Sequence, residues 1–334
     1  MKSAIVITSI NPPTKGVREI AKGLQQYGAS LIVIGDEKSP EVYDADGVRF
    51  FSIQKQRDTE FAFARICPTR HYARKNIGYL IAISEHAPTI IETDDDNIPM
   101  EGFWFPREAE TDAALLSNVG WANIYQYYSD AVIWPRGLPL DEINKALPSF
   151  DNLPTTRTRC PIQQGLADEN PDVDAIYRLI LPLPINFRKE RRVALGEGTW
   201  CPFNSQNTTW WPEAYPLLYL PFHCSFRMTD IWRSFVAQRI GQANGWTILF
   251  HESTVYQERN EHNLMKDFAD EIVGYLNNRT ICERLGALDL LPGAENIPEN
   301  MRRCYRTLIE LNMIGAEEIP LLNAWLADIS AIIG

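Results

Sequence analysis

The sequence predicts an α/β fold: a Rossmann-like, mostly parallel sheet flanked by helices, with a helical extension at the C-terminus. Three observations carry it. Short β-branched runs alternate with helical patterns through the first hundred or so residues. A hydrophobic fraction of 45%, with aromatics at 11%, can fill a core on both faces of a sheet. From about His262 onward the pattern is helical almost throughout.

Ser3 to Thr8 reads as the first strand. Pro13 to Tyr27 places Val17, Ile20, Ala21 and Leu24 at helical spacing and stops at Gly28. Leu31 to Ile34 is the second strand, ending at Gly35-Asp36, and Val48 to Ile53 the third. Tyr72 to Glu85 is a helix with Ile77, Leu80 and Ile81 inward, and Thr89 to Glu92 a buried fourth strand. Ligands of such sheets sit beyond the carboxyl ends of the strands, where Thr8 to Asn11, Gly35-Asp36 and Asp94 to Asn97 fall together. Three polar strand ends on one edge describe a nucleotide cleft.

The middle, from about Gly102 to Pro221, is rich in Pro, Trp and short strands and is assigned the acceptor side. Thr229 to Ala243 then reads as a helix, Trp246 to Phe250 as a strand, and the last stretch as helices carrying Phe268, Ile272, Leu276, Leu308, Leu311, Leu321, Trp325 and Ile329. Two units follow: one over 1–260 that carries the nucleotide cleft and the acceptor side, and a helical region over 261–334, suited to a homo-oligomer interface as readily as to a lid.

A net charge of −11 argues against a nucleic-acid backbone as partner, because phosphate neutralisation needs a basic face. A nucleotide diphosphate stays compatible, since a metal and a few local arginines reverse the sign within one cleft. Six cysteines are scattered without a CxxC pair and read as buried thiols in a reducing compartment. No run approaches 18 apolar residues, and a strand begins at once with Ala4-Ile5-Val6-Ile7. Neither a signal peptide nor a membrane span is expected, and the location expected is cytoplasmic.

The fourth strand runs straight into Asp94-Asp95-Asp96-Asn97. Adjacent carboxylates repel, so a fold that gathers them at the end of a buried strand calls for a divalent cation. Hard oxygen ligands suit Mn²⁺ or Mg²⁺, which grip a diphosphate. The bland reading is a solvated acidic turn, against which stand the apolar flanks Tyr79 to Ala82 and Thr89 to Ile91.

Six ordered blocks, Arg74 to Leu80, Thr93 to Asn97, Trp134 to Leu140, Pro171 to Leu179, Pro202 to Thr208 and Arg227 to Gln238, together resemble the STELLO family of glycosyltransferases, and the resemblance covers about residues 1–275. Golgi members of that family carry a membrane anchor, and no such span is legible here. A weaker similarity runs to the reversibly glycosylated polypeptides, which include UDP-arabinopyranose mutases. It rests on Asp94 to Asp96, Arg136 to Pro139, Thr229 to Trp232 and Ile248 to Ser253. Both imply the GT-A fold, in which a DXD motif holds a metal against the diphosphate of a nucleotide sugar.

Under that reading Asp96 is the first metal ligand, Asp94 faces the ribose hydroxyls and Asp95 bridges. A further ligand from late in the chain is implied, with His251 the candidate and His262 its rival. The base is expected at Thr8 to Asn11 and at Asp36, which can accept from uracil N3–H or simply cap a helix. Arg74 and Asn76 are expected near the base or phosphates, although Arg74, Lys75 and Arg70 would also serve as a solvated basic face. Asp230 is assigned as general base of an inverting transfer, with an N-cap as its plain alternative. Arg136 matches the arginine that becomes glycosylated in the reversibly glycosylated family; contact with a diphosphate or a carboxylate is the more conservative role. Asn204, Gln206 and Asn207 offer amides to sugar hydroxyls, and Trp210 and Trp211 either stack on a pyranose or sit in the core. The function expected is transfer from a UDP-sugar to a glycan or small-molecule acceptor. The alternatives are a UDP-sugar mutase and a scaffold without turnover. A nucleotidyltransferase fits poorly, since Ile10 to Gly16 lacks a glycine run.

Overall fold

A computed structural model of the chain describes residues 2–258 and 263–333. Its strands are β1 (Ser3–Thr8), β2 (Ala29–Ile34), β3 (Val48–Phe51), β4 (Ile90–Thr93), β5 (Asn97–Pro99), β6 (Glu110–Leu116), β7 (Gly120–Trp121), β8 (Thr155–Arg159), β9 (Ile162–Asp168), β10 (Arg192–Leu195), β11 (Thr199–Trp200), β12 (Asn207–Trp210) and β13 (Ile248–Gln257). The α-helices are α1 (Lys15–Tyr27), α2 (Ile53–Arg57), α3 (Ala62–Ile66), α4 (Lys75–Ser84), α5 (Ala175–Ile180), α6 (Thr229–Ala243), α7 (Leu264–Gly286), α8 (Ile297–Glu310) and α9 (Glu318–Ile333).

The α/β expectation holds. One large sheet runs in the order β3-β2-β1-β4-β12-β9-β13-β10-β6-β8, with β5 paired to β13. The strands β3, β2, β1 and β4 are mutually parallel, as the alternation of strand and helix requires. Beyond them β12 enters antiparallel, and β9 and β13 turn back to the direction of β1. The parallel character is thus strongest in the first hundred residues, and the second half is mixed because β12, β10 and β8 enter antiparallel to strands far away in sequence.

Local chemistry sets several boundaries. Thr14 caps α1 by accepting from the Val17 N–H, so the helix starts two residues after Pro13, and Gly28 ends it at φ 62°, the left-handed conformation that glycine adopts without a Cβ penalty. The helix expected over Tyr72 to Glu85 is split into a 3-10 turn, Tyr72–Arg74, and α4. β13 runs on to Gln257, seven residues past the expected end, because it gains ladder partners first from β9 and then from β5.

The helices α4 and α6 fill one side of the sheet, and their apolar residues form a single large core with Trp210, Trp325, Ile281 and Leu285. A smaller core on the other side joins β1 and β2 to Val17, Ile20 and Leu24 of α1. The C-terminal helices enter the larger core directly through Leu285, Met301, Leu308 and Trp325. None of the described helices is long and apolar enough to cross a membrane.

Candidate active site

Two cavities open along the carboxyl edge of β1, β2 and β4. The larger, about 390 Å³, is lined by Thr8, Asn11, Asp36, His71 and Arg74 among others. The smaller, about 270 Å³, is lined by Asp94, Asp95, Asp96, Arg136, Gln206 and Asp230, with Gln257 at one side. Thr8, Tyr72, Asp95 and Phe226 belong to both, so the two form one cleft. The structure therefore gathers most of the sequence-derived candidates at one edge.

The acid turn is built by short-range hydrogen bonding. Asp95 accepts from Ser9 Oγ at 2.5 Å and from Asn11 Nδ2 at 3.1 Å, which ties β4 to the end of β1. Asp96 accepts from Gln257 Nε2 at 3.0 Å. The Asp94 side chain is 40% exposed onto the cleft and lies 3.3 Å from the ammonium of Lys75, which is itself buried. Its partial withdrawal into the cleft pushes the Asp94 carboxyl up; Lys75 opposes the rise and Asp96 adds to it.

Among the described residues no set of three or more His, Cys, Asp and Glu side chains is gathered to hold a metal ion. Asp94 and Asp96 nevertheless face one cavity as hard oxygen donors, and Asp96 disfavours the charged form of Asp94. One or two carboxylates are what a Mg²⁺-type ion takes when it completes its shell from phosphate and water. The donor set fits such an ion.

His251 is not part of this group. It stands six residues before Gln257 on β13, about 20 Å back along a strand that rises ~3.3 Å per residue. It lines a separate cavity of about 740 Å³ together with Arg107, Arg192 and Glu252. Burial pushes its imidazole down to about 3, helped by Arg107. The expected strand ended at Phe250, which set His251 at the strand end; the longer observed strand puts Gln257 there instead. His262 lies outside the described residues.

Arg136 and Asp230 also differ from expectation. Arg136 is buried between two carboxylates, Asp172 at 2.8 Å and Asp230 at 3.1 Å. Burial disfavours its charge, and the two aspartates override it, raising the guanidinium well above its ordinary value. A guanidinium held this firmly protonated is no nucleophile. Burial likewise works against ionised Asp230, and Arg136 overrides it, holding the carboxyl well below the usual carboxylate range. Asp230 also accepts from the Ser205 N–H at 3.1 Å, Ser205 Oγ at 3.3 Å and the Tyr72 hydroxyl at 3.3 Å. With its lone pairs engaged it is a poor proton acceptor. It is not the N-cap either, because α6 begins at Thr229 and Asp230 is in its first turn.

Other candidates turn out to support the cleft from behind. The Arg74 guanidinium is 1% exposed and donates to Gln56 Oε1 and to the carbonyls of Cys67 and Pro68. Its donors are spent on protein, so it fixes the 67–70 loop at the cavity floor. Asn76 exchanges hydrogen bonds with the Leu220 main chain at 2.8 and 2.9 Å and is wholly buried. Asn204 turns its amide oxygen to the Gln206 N–H, shaping that loop. Asn207 bonds Leu166 O and Thr254 Oγ1 within the sheet. Trp210 is fully buried and donates to Glu92 at 2.8 Å, which makes it core. Asp36 accepts from the His71 N–H at 3.0 Å and the Glu37 N–H at 2.7 Å while facing the larger cavity.

Sequence reasoning missed an aromatic wall. His71 stacks on Tyr72 at 5.1 Å, and Phe226 packs edge-on against both, at 4.9 and 4.8 Å, while staying 48% exposed at the cavity rim. His71 Nδ1 accepts from the Ala73 N–H, and burial pushes the ring down to about 4. Also missed were Asp172 and Ser205 beside Asp230, and the Lys75 ammonium inside the turn. These residues come from segments far apart in sequence, and no periodicity links them.

Comparison with known proteins bears on the same region. Residues 227–333 match the family model described as STELLO glycosyltransferases. The chain is 26% identical over 343 aligned positions to "Probable glycosyltransferase STELLO2" of Arabidopsis thaliana, covering 95% of this chain and 43% of that protein. It is 24% identical to "Probable glycosyltransferase STELLO1" of the same plant, covering 76% and 35%. The chain thus spans less than half the length of these relatives. Among solved structures it is distantly similar to a mycobacterial protein, with a TM-score of 0.43 at 10% identity and coverages of 83% and 74%. It is similarly distant from M. tuberculosis glucosyl-3-phosphoglycerate synthase, with a TM-score of 0.42 at 11% identity and coverages of 83% and 80%.

Proposed function

From a STELLO-type chain with this cleft, we propose a metal-dependent glycosyltransferase of GT-A type that takes its sugar from a nucleotide sugar, with UDP the favoured nucleotide. The observation that carries the reading is the single cleft along the sheet edge, with the acid turn at the junction of its two cavities. The base occupies the larger cavity, with Phe226 at its rim as a stacking surface and the second lone pairs of Asp36 as acceptors for uracil N3–H. The sugar occupies the smaller cavity.

Asp94 and Asp96 would hold Mn²⁺ or Mg²⁺. Bound there, the ion supplies Lewis-acid neutralisation of the diphosphate leaving group. The remaining work falls to the chain's own side chains. Lys75 offsets the charge of Asp94 and keeps the turn closed on the Ser205 carbonyl at 3.2 Å. Arg136 locks Asp230 and Asp172 into a fixed anionic wall, and the remaining lone pairs of Asp172 accept sugar hydroxyls without taking their protons. Gln206 adds an amide at the same wall.

A nucleotide-sugar mutase is the second reading. It is favoured by the engagement of Asp230, which leaves that carboxylate unsuited to activating an acceptor hydroxyl. Six free thiols among the described residues support a reducing, cytoplasmic setting.

Calorimetric titration of UDP, GDP and CDP, each with and without Mn²⁺, on wild type and Asp96→Ala tests the proposal. One nucleotide should bind with an absolute need for both the ion and Asp96. Incubating its sugars without acceptor then separates the readings: ring interconversion identifies a mutase, slow hydrolysis a transferase. Failure of every nucleotide to bind sinks both and leaves a scaffold.

A further inference from the structure

We infer that Gln257, the last residue of β13, is itself a ligand of the divalent cation, through its amide oxygen. The inference rests on the proposed function and names the late-chain ligand of that site. Gln257 is 7% exposed, lines the cavity of the acid turn and donates Nε2 to Asp96 Oδ1 at 3.0 Å. Its Oε1 is buried with no hydrogen-bond partner. A buried amide oxygen left bare is costly, and native folds avoid it unless the atom has a further task.

The register supplies the second half of the argument. Gln257 is paired with Asn97 across β13 and β5, and Asn97 Oδ1 is also buried without a partner. Directly opposite side chains in an antiparallel pair are neighbours. Turning the Gln257 amide over presents Oε1 on the side of Asp96, as a hard neutral ligand of the kind Mg²⁺ and Mn²⁺ accept. That turn exchanges the Nε2–Asp96 hydrogen bond for a metal bond through the amide oxygen that otherwise has no hydrogen-bond partner. The Glu258 N–H donates to the Asp96 carbonyl at 3.1 Å, so the strand end and the turn are fixed to each other in either state.

A plain structural role makes a different forecast. If Gln257 only donates to Asp96, an acid in its place destroys the bond and adds repulsion. If it ligates, an acid keeps or improves the site. The test measures Mn²⁺ affinity by electron paramagnetic resonance of the free ion, with saturating UDP, for wild type, Gln257→Leu, Gln257→Glu and His262→Ala. Circular dichroism and thermal midpoints check that each is folded. The expected result is a loss of at least about tenfold for Gln257→Leu, with Gln257→Glu equal to or tighter than wild type. Wild-type Mn²⁺ binding with an unaffected Gln257→Leu overturns the inference while leaving the proposed function standing. So does a Gln257→Glu as weak as Gln257→Leu, or a loss confined to His262→Ala. A wild type that binds no Mn²⁺ overturns both.

Discussion

At the residue scale, the Asp172-Arg136-Asp230 group decides how the cleft wall behaves. Its charges are all buried, so removing the central cation strands two carboxylates away from water. Arg136→Met should therefore cost about 3–5 kcal/mol in urea unfolding, while the triple change that also neutralises both aspartates should recover much of it. Phe226 is the opposite kind of residue. It is half exposed at the rim and makes no buried polar bond, so Phe226→Ala should cost only about 1–2 kcal/mol in unfolding, the loss of its edge-on contacts with His71 and Tyr72. Nucleotide affinity should fall by about 1–3 kcal/mol if the base stacks there, and calorimetry reads the difference directly. An unchanged affinity would remove the base from the larger cavity.

At the scale of elements, the acid turn is braced from both sides. The N-terminus of α1 packs on it so closely that a Cβ on Gly16 would stand 2.5 Å from the Asn97 carbonyl oxygen and 2.7 Å from that of Asp95. The Thr14 hydroxyl donates to the same Asp95 carbonyl. Gly16→Ala has to push the turn away from the helix. A loss of about 1–3 kcal/mol in stability is expected, together with weaker Mn²⁺-dependent nucleotide binding, although residue 16 touches neither ligand. Retained stability and binding would show that the turn yields freely. Beneath the turn, Glu92 takes the Arg233 guanidinium and the Trp210 indole, both at 2.8 Å, and also the Tyr79 hydroxyl. That buried knot joins β4, β12, α4 and α6, and so fixes the strand end from which the aspartates project.

At the scale of the whole molecule, the C-terminal helices supply carboxylates that complete the N-terminal, sheet-bearing part. Asp328 of α9 caps α3 by accepting from the Ala62 and Phe63 N–H groups at 2.9 and 2.8 Å. Glu271 of α7 takes the Ala175 N–H at 2.7 Å and pairs with Arg227 of the cleft. Truncation after residue 258 should expose the core around Trp325 and give a chain that binds a hydrophobic dye and lacks near-ultraviolet dichroism. A second global property is acid sensitivity. Both His71 and His251 ionise less readily in the folded state, at about 4 and about 3 against an ordinary 6.5. The unfolded chain therefore binds more protons, so their contribution is full above about pH 6.5 and is lost as the pH falls toward the folded values. Asp174, raised to about 6 by burial, and Asp94, also raised, act with the opposite sign. The useful measurement is thus the difference between wild type and His251→Gln in urea at pH 7.5 and pH 5. The variant should lose less stability on acidification than wild type, and equal losses would contradict a neutral buried His251.

Periodicity and strand-end chemistry determined much by themselves. The alternation of β1 to β4 with helices, the stop at Gly28, the position of α6 and the acid turn at the end of β4 are all local consequences of side-chain spacing and capping. So was the edge at which Thr8, Asp36 and Asp94 to Asp96 meet, because parallel strands deliver their carboxyl ends together. Tertiary structure decided the rest. Whether Arg136 faces a ligand or two aspartates depends on segments 36 and 94 residues away in sequence, and no local pattern encodes them. Arg74 and Asn76 look like ligands in a polar motif, but Arg74 is consumed by the Gln56 side chain and the Cys67 and Pro68 carbonyls, and Asn76 by the distant Leu220 main chain. The strand that reaches Asp96 with Gln257 rather than His251 was set by pairing with β5, a long-range choice. Local propensity fixes which elements form, while desolvation and hydrogen-bond competition in the packed interior fix which polar atoms remain to meet a substrate.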